Sequence, residues 1–279
     1  NMDRVSTAAY AFGYIGGSTI PLILAIVLLQ FIPSLTQDGA LQLFGIKIPY
    51  DIHTGFRISF IMASLWWLLF SVPFIKNVHQ EYGIEPEQYP LRNAFKRLGH
   101  TFKNIKQYKA VFLFLAAYFL YIDGVHTIIA MAVPFAADAI DSVTADNATQ
   151  ILLPILLVIQ IAAFFFAMLF VKLSNFIKTR TLLFVTISIY CLIALYALFV
   201  REVWQFWVLG LMVATSQGAV QSLSRSYFGK IIPKNMANEF FGFYTIFSRF
   251  ASVLGPAFVG GISIAVFTIR GPISGGTMR

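Results

Sequence analysis

The sequence predicts an all-α membrane protein that crosses the bilayer about seven times, and three observations carry the prediction. Hydrophobic residues make up 58% of the 279 and charged ones 11%, whereas soluble domains carry about 25% charge. Mean hydropathy is +0.76, and Phe alone supplies 29 residues, a density that suits helices facing lipid. The charges that remain gather between apolar runs, each near the roughly 20 residues a helix needs to span about 30 Å of hydrocarbon.

Five intervals hold no charge at all: Arg4 to Asp38, Arg57 to Lys76, Asp146 to Lys172, Arg180 to Arg201 and Glu202 to Arg225. Two more, Lys109 to Asp138 and Glu239 to Arg270, are interrupted only by Asp123 and Arg249 respectively. Spans are therefore expected near 8–32, 56–75, 110–137, 150–171, 180–200, 203–223 and 239–267. The first is too long for a signal peptide and is followed by six others, so it reads as a true crossing.

Lys and Arg set the expected orientation, because cytoplasmic loops are enriched in them. They collect at Arg4, along 76–109, at Lys172, Lys178 and Arg180, and at Arg225, Lys230 and Lys234, while the alternate connections hold few and include the acidic run Asp138, Asp141, Asp146. The first set is expected inside. Within 76–109, Leu91, Phe95, Leu98, Phe102 and Ile105 recur at helical steps opposite Arg92, Lys96, Arg97, Lys103 and Lys106, the pattern of an amphipathic helix lying along headgroups. The net charge of +8 follows from these loops, so no nucleic-acid partner is expected. Close helix packing is expected at Gly13-x-x-x-Gly17, Ala251-x-x-x-Gly255 and Ala257-x-x-x-Gly261, where small residues let backbones approach.

An ionisable side chain inside a span costs several kcal/mol unless it is paired or wetted, which singles out Asp123 and Arg249. Counted from Lys109 and Glu239 at about 1.5 Å per residue, they lie roughly 21 and 15 Å deep. They are expected to share a water-filled cavity, Asp123 as a proton acceptor and Arg249 as an anchor for an anionic group; a structural ion pair is the alternative. His126, one turn from Asp123, is a candidate relay or a hydrogen-bonded packing residue. Gln160, Gln217 and Gln221 are polar groups in other spans that line the same cavity or bond between helices. Cys191 is the single cysteine, which leaves no disulfide framework. Metalloprotease, P-loop and serine-hydrolase motifs are absent, so neither enzyme activity nor a metal or other cofactor is expected. Asn147-Ala148-Thr149 is a glycosylation sequon, expected to be a chance one. A receptor or non-transporting regulatory bundle is the alternative functional class.

The segment Ser216–Pro256, SQGAVQSLSRSYFGKIIPKNMANEFFGFYTIFSRFASVLGP, resembles the signature of the vacuole-effluxer-like (autophagy-related permease) family of the major facilitator superfamily. Tyr121-Ile-Asp123-Gly124-Val-His126-Thr127-Ile resembles that family's Tyr-Asn-Asp-Gly-Val-Gln-Thr-Ile motif, and Asp3-Arg4-Val5-Ser6 followed by Gly13-Tyr14-Ile15-Gly16-Gly17 resembles the start of its fifth helix. The resemblance implies a partial major-facilitator-type helix bundle, about seven of twelve helices. Residues 1–75 would be the last two helices of the N-terminal half, 76–109 the central cytoplasmic loop and 110–279 the first five helices of the C-terminal half. It implies secondary active transport of a small polar solute by alternating access, an amino acid by family analogy, coupled to H+, by a monomer in a bilayer. The bacterial inner membrane is favoured over a fungal vacuole by the short loops. It also implies gating roles for Ser224, Arg225 and Glu239, and for Lys178 and Arg180 in the loop where the superfamily carries an acidic residue; Asn175 stands in that loop and cannot supply the charge.

Overall fold

The computed structural model describes residues 2–35, 40–43, 46–78, 108–144 and 146–270, with Arg92, Lys96 and Gly99 between them. Seven helices among the described residues are long and apolar enough to cross a membrane. They are α1 (Met2–Phe31), α2 (Ile52–Asn77), α3 (Lys109–Ala139), α4 (Ala148–Leu173), α5 (Thr179–Ala197), α6 (Val203–Ile231) and α7 (Ala237–Arg270). All seven expected spans are present. The largest difference is at α6, which runs eight residues past the expected end at 223. Hydropathy marks only the part of a helix that dissolves in lipid, and the Arg225–Lys230 stretch continues the same hydrogen-bond ladder. The amphipathic helix expected within 76–109 lies mostly outside the described residues; Arg92, Lys96 and Gly99 are helical and exposed.

One element was not anticipated. Between α1 and α2, strands β1 (Ala40–Leu43) and β2 (Ile46–Pro49) pair antiparallel, with Leu41 opposite Ile48, Gln42 opposite Lys47 and Leu43 opposite Ile46. The alternation of apolar and polar residues on both strands is what a two-faced ribbon requires. After it, Asp51 caps α2 by accepting from the Thr54 N–H at 2.8 Å. The Thr54 hydrogen bonds, side chain before backbone, hold the Asp51 carboxyl below the usual carboxylate range.

The chain divides into two compact units, Asn1–Leu91 with Ala136–Leu223 and Arg92–Phe135 with Ser224–Arg279. In the first, α1 runs antiparallel to α4, fixed near one end by the Phe12–Phe164 ring contact and near the other by Gln30 Nε2 donating to the Thr149 carbonyl at 3.0 Å. Ala11, Ile155, Ala163 and Val220 are fully buried there. Two segments of α1, Tyr14–Thr19 and Val27–Phe31, are wound as π-helix. The wider turn turns the Gly16 carbonyl outward, where Trp66 of α2 donates its indole N–H at 2.8 Å. Tyr50 donates to the Leu28 carbonyl in the second of these segments. None of the central window of α2 is buried within the protein, although it is apolar on every side, so its surface belongs against lipid or other helices.

Glycines mark the true close approaches. A Cβ at Gly218 would lie 2.8 Å from the Tyr14 ring and 3.3 Å from the Ala167 Cβ. At Gly13, Gly17 and Gly261 a Cβ would meet nothing within 4 Å, so among the described residues only Ala251-x-x-x-Gly255 of the three expected small-residue motifs makes a helix contact through its glycine.

The second unit is built around an aromatic cluster. Val111, Leu115, Tyr118, Ile122 and Val125 recur at three- and four-residue steps along the buried face of α3. Tyr118 stacks on Tyr244 with centroids 4.3 Å apart, and Phe228, fully buried, stacks on both Phe114 and Tyr244. Packing of this kind leaves α3 and α7 side by side at the level of Asp123.

Candidate functional site

The buried stripe of α3 determines where its polar residues go. With Ile122 and Val125 turned inward, Asp123, His126 and Thr127 fall on the adjacent flank, half-buried, and the Asp123 carboxylate reaches α7. It accepts from the main-chain N–H of Gly255 at 2.7 Å. Thr127 donates its hydroxyl back to the Asp123 carbonyl at 2.7 Å. Helix α7 comes this close because residue 255 has no side chain: a Cβ there would lie 1.6 Å from Thr127 Oγ1 and 2.9 Å from Asp123 Oδ1.

Arg249 stands six residues before Gly255 on the same helix, about 9 Å along its axis, and is exposed. That offset is why Asp123 bonds to a backbone amide and no ion pair joins it to Arg249 among the described residues. The three ionisable groups occupy neighbouring stretches of two packed helices, His126 three residues from Asp123 on α3 and Arg249 on α7. Among the described residues His126 Nδ1 is buried without a hydrogen-bond partner, an arrangement native interiors seldom leave without a purpose.

The remaining expected site residues divide between the units. Ser224 lies in the second unit and shares a 2.7 Å hydrogen bond with the Tyr121 hydroxyl, two residues before Asp123 in the chain. Arg225 is exposed and sits over the Phe241 ring at 5.6 Å, a cation–π contact. Glu239 is half-buried in the first turn of α7, where a carboxylate complements the helix dipole. Gln160, Gln217 and Gln221 lie in the first unit. Gln217 is buried, and among the described residues the Gln160 side-chain oxygen, like the Tyr190 hydroxyl, is buried without a hydrogen-bond partner. Lys178 and Arg180 are exposed on either side of Thr179 at the start of α5.

Thr179 leads to residues that sequence reasoning missed. Its hydroxyl donates to Asp3 Oδ2 at 2.9 Å, and Asp3 is only 4% exposed. Three and four residues on, Ser6 donates to the Ser222 carbonyl and Thr7 to the Ser222 hydroxyl, each at 3.1 Å. A buried polar stripe thus ties the start of α1 to α5 and α6. The Asp3/Ser6/Thr7 spacing, one face of a helix, was the available signal. The sequon residue Asn147 shapes its own turn: its amide donates to the Ser142 carbonyl at 2.9 Å and accepts from the Thr144 N–H at 2.7 Å.

Comparison with known proteins finds relatives over nearly the whole chain. A sequence 43% identical over 275 residues, covering 96% of this chain and 60% of the relative, is an uncharacterized MFS-type transporter, YxiO, of Bacillus subtilis. Autophagy-related protein 22-1 of Penicillium rubens is 26% identical, covering 96% of this chain and 45% of its own length. Autophagy-related protein 22 of Coccidioides immitis is 28% identical, covering 85% and 42%. The chain therefore spans between two fifths and three fifths of these curated relatives. No solved structure matches. The family described as vacuole effluxer Atg22-like matches residues 1–273, and with seven apolar helices to account for, this multi-pass membrane chain belongs to that family.

Proposed function

We propose that the chain is part of a secondary active transporter that moves a small polar solute by alternating access and couples it to protons through Asp123. The observation that carries the reading is the cluster of Asp123, His126 and Arg249 on two adjacent membrane-crossing helices. Ionisable groups are retained at such depth when they bind an ion or solute. Asp123 takes the proton, His126 offers a second titratable group three residues away, and Arg249 anchors an anionic group on the solute. Within the first unit, Gln160, Gln217 and Gln221 offer neutral hydrogen-bonding groups on its own spans. An amino acid fits these requirements, with its carboxylate for the cation and its ammonium for Asp123. The Bacillus relative supports a bacterial cell membrane.

Gating is assigned to the expected cytoplasmic ends of the helices. Ser224, Arg225 and Glu239 serve in one unit and Lys178 and Arg180 in the other. Asp3 joins them: its bond to Thr179 at the first turn of α5 supplies an acidic group that Asn175 cannot.

The test is flux in proteoliposomes containing the full-length protein, each loaded with one radiolabelled amino acid, under an imposed pH gradient. Movement of at least one amino acid that collapses when the gradient is dissipated is expected. Ligand binding without flux for every amino acid would instead place the protein among receptors.

A further inference from the structure

Three features converge on one turn of α7. Gly255 gives its N–H to the Asp123 carboxylate. Pro256 has no N–H, so the Ser252 carbonyl cannot receive its usual intrahelical bond. Gly255 also has no room for a side chain, because Thr127 and Asp123 occupy the place of a Cβ. Two successive rungs of the helix ladder are therefore altered where α3 touches α7, and the group that spans the gap is a titratable carboxylate. Proline turns are where helices bend.

We propose that Gly255 is a positioning residue for Asp123, and that the Asp123–Gly255 hydrogen bond converts protonation of the carboxylate into bending of α7 at Pro256. The proposal rests on the proton role given to Asp123 above and adds the element that responds. With Asp123 ionised, a charge-assisted hydrogen bond clamps the Gly255 turn to α3. Uptake of a proton removes the charge, weakens the bond and frees the part of α7 beyond Pro256 to move. The other charged or titratable groups near this level of the two helices are His126, three residues from Asp123 on α3, and Arg249, six residues before Gly255 on α7; among the described residues neither hydrogen-bonds the Gly255 amide.

The experiment is an infrared titration of the full-length protein in lipid nanodiscs, following the protonated-carboxyl band that disappears in Asp123→Asn. In Gly255→Ala the added methyl pushes the amide away, and an N–H bond favours the ionised carboxylate. The Asp123 band is therefore expected to persist to higher pH in this variant than in the wild type. Because Gly255→Ala meets Thr127 Oγ1 head-on and can fail to fold, Thr127→Ala/Gly255→Ala is measured beside it. That pair removes the hydroxyl contact and retains the 2.9 Å approach to Asp123 Oδ1, and the same shift is expected. Spin labels at Leu113 and Ile262, both exposed, should change separation on acidification in the wild type and not in Asp123→Asn. A midpoint unchanged in both Gly255 variants overturns the assignment of Gly255 while leaving the proton role intact. A band that does not respond to pH overturns both.

Discussion

Asp3 and Asp123 are both carboxylates on membrane-crossing helices, and the protein solvates them in different ways. Asp3 is buried to 4% exposure and bonded to a hydroxyl at the N-terminal turn of α5, where the helix dipole also favours negative charge. Its neighbours Ser6, Thr7 and Ser222 are neutral and joined by hydrogen bonds. Asp123 is half-buried, takes a main-chain amide beside a proline, and shares its surroundings with a cation and a titratable imidazole. Both carboxylates take a neutral donor; what differs is depth of burial and the titratable imidazole one turn from Asp123. The first arrangement suits a latch and the second a proton site.

The comparison breaks most sharply on function. Asp123→Asn is expected to abolish pH-driven flux in proteoliposomes while the unfolding temperature in detergent stays at the wild-type value, since an amide oxygen still accepts from Gly255. Flux that persists with its pH dependence would remove Asp123 from the coupling step. Asp3→Ala is expected to act first on stability, lowering it by about 1.5–3 kcal/mol because a charge-assisted hydrogen bond is lost. Thermal unfolding reads this directly, and an undiminished melting temperature with altered pH dependence would exchange the two roles.

Smaller effects sharpen the contrast between the units. Gly218→Ala should cost about 1–3 kcal/mol in thermal unfolding, since the new methyl meets the Tyr14 ring and the Ala167 Cβ, neither of which can swing aside. Gly210→Ala should cost a comparable amount, because the new methyl displaces both Cδ1 and Cγ1 of the buried Ile159. Tyr121→Phe removes only the hydroxyl bond to Ser224, and a loss of about 1 kcal/mol is expected.

The spans were legible because lipid imposes a length and a composition that charge-free intervals reveal directly. The hairpin at 40–49 had a signal too, alternation in Ala40-Leu41-Gln42-Leu43 and Ile46-Lys47-Ile48, but four-residue strands vanish in a reading tuned to twenty-residue runs. Among site residues, Asp123, Arg249 and His126 stood out by charge alone. Their geometry did not, because the partner of Asp123 is a backbone amide, and no residue type announces which N–H will be used. Gly255 was legible as a close-packing residue and Gly13 and Gly17 equally so, yet only the first meets another helix; spacing records the opportunity for contact, and the neighbouring helix decides it. Asp3 stood out only as part of the Asp3-Arg4-Val5-Ser6 resemblance, since position along a helix says nothing about burial from the side.

The two π-wound segments of α1 change how that helix can tolerate length. Each closes its hydrogen bond over one residue more than an α-turn does, so each stores a surplus residue worth about 100° of phase. A helical wheel drawn at constant angle therefore mislabels the sides of α1 beyond Gly16. Deleting one residue within Tyr14–Thr19 would return that stretch to ordinary winding and leave the flanking faces in frame, with the Trp66 indole losing its carbonyl. The same deletion in α4, which has no such slack, would turn every later side chain away from its neighbour.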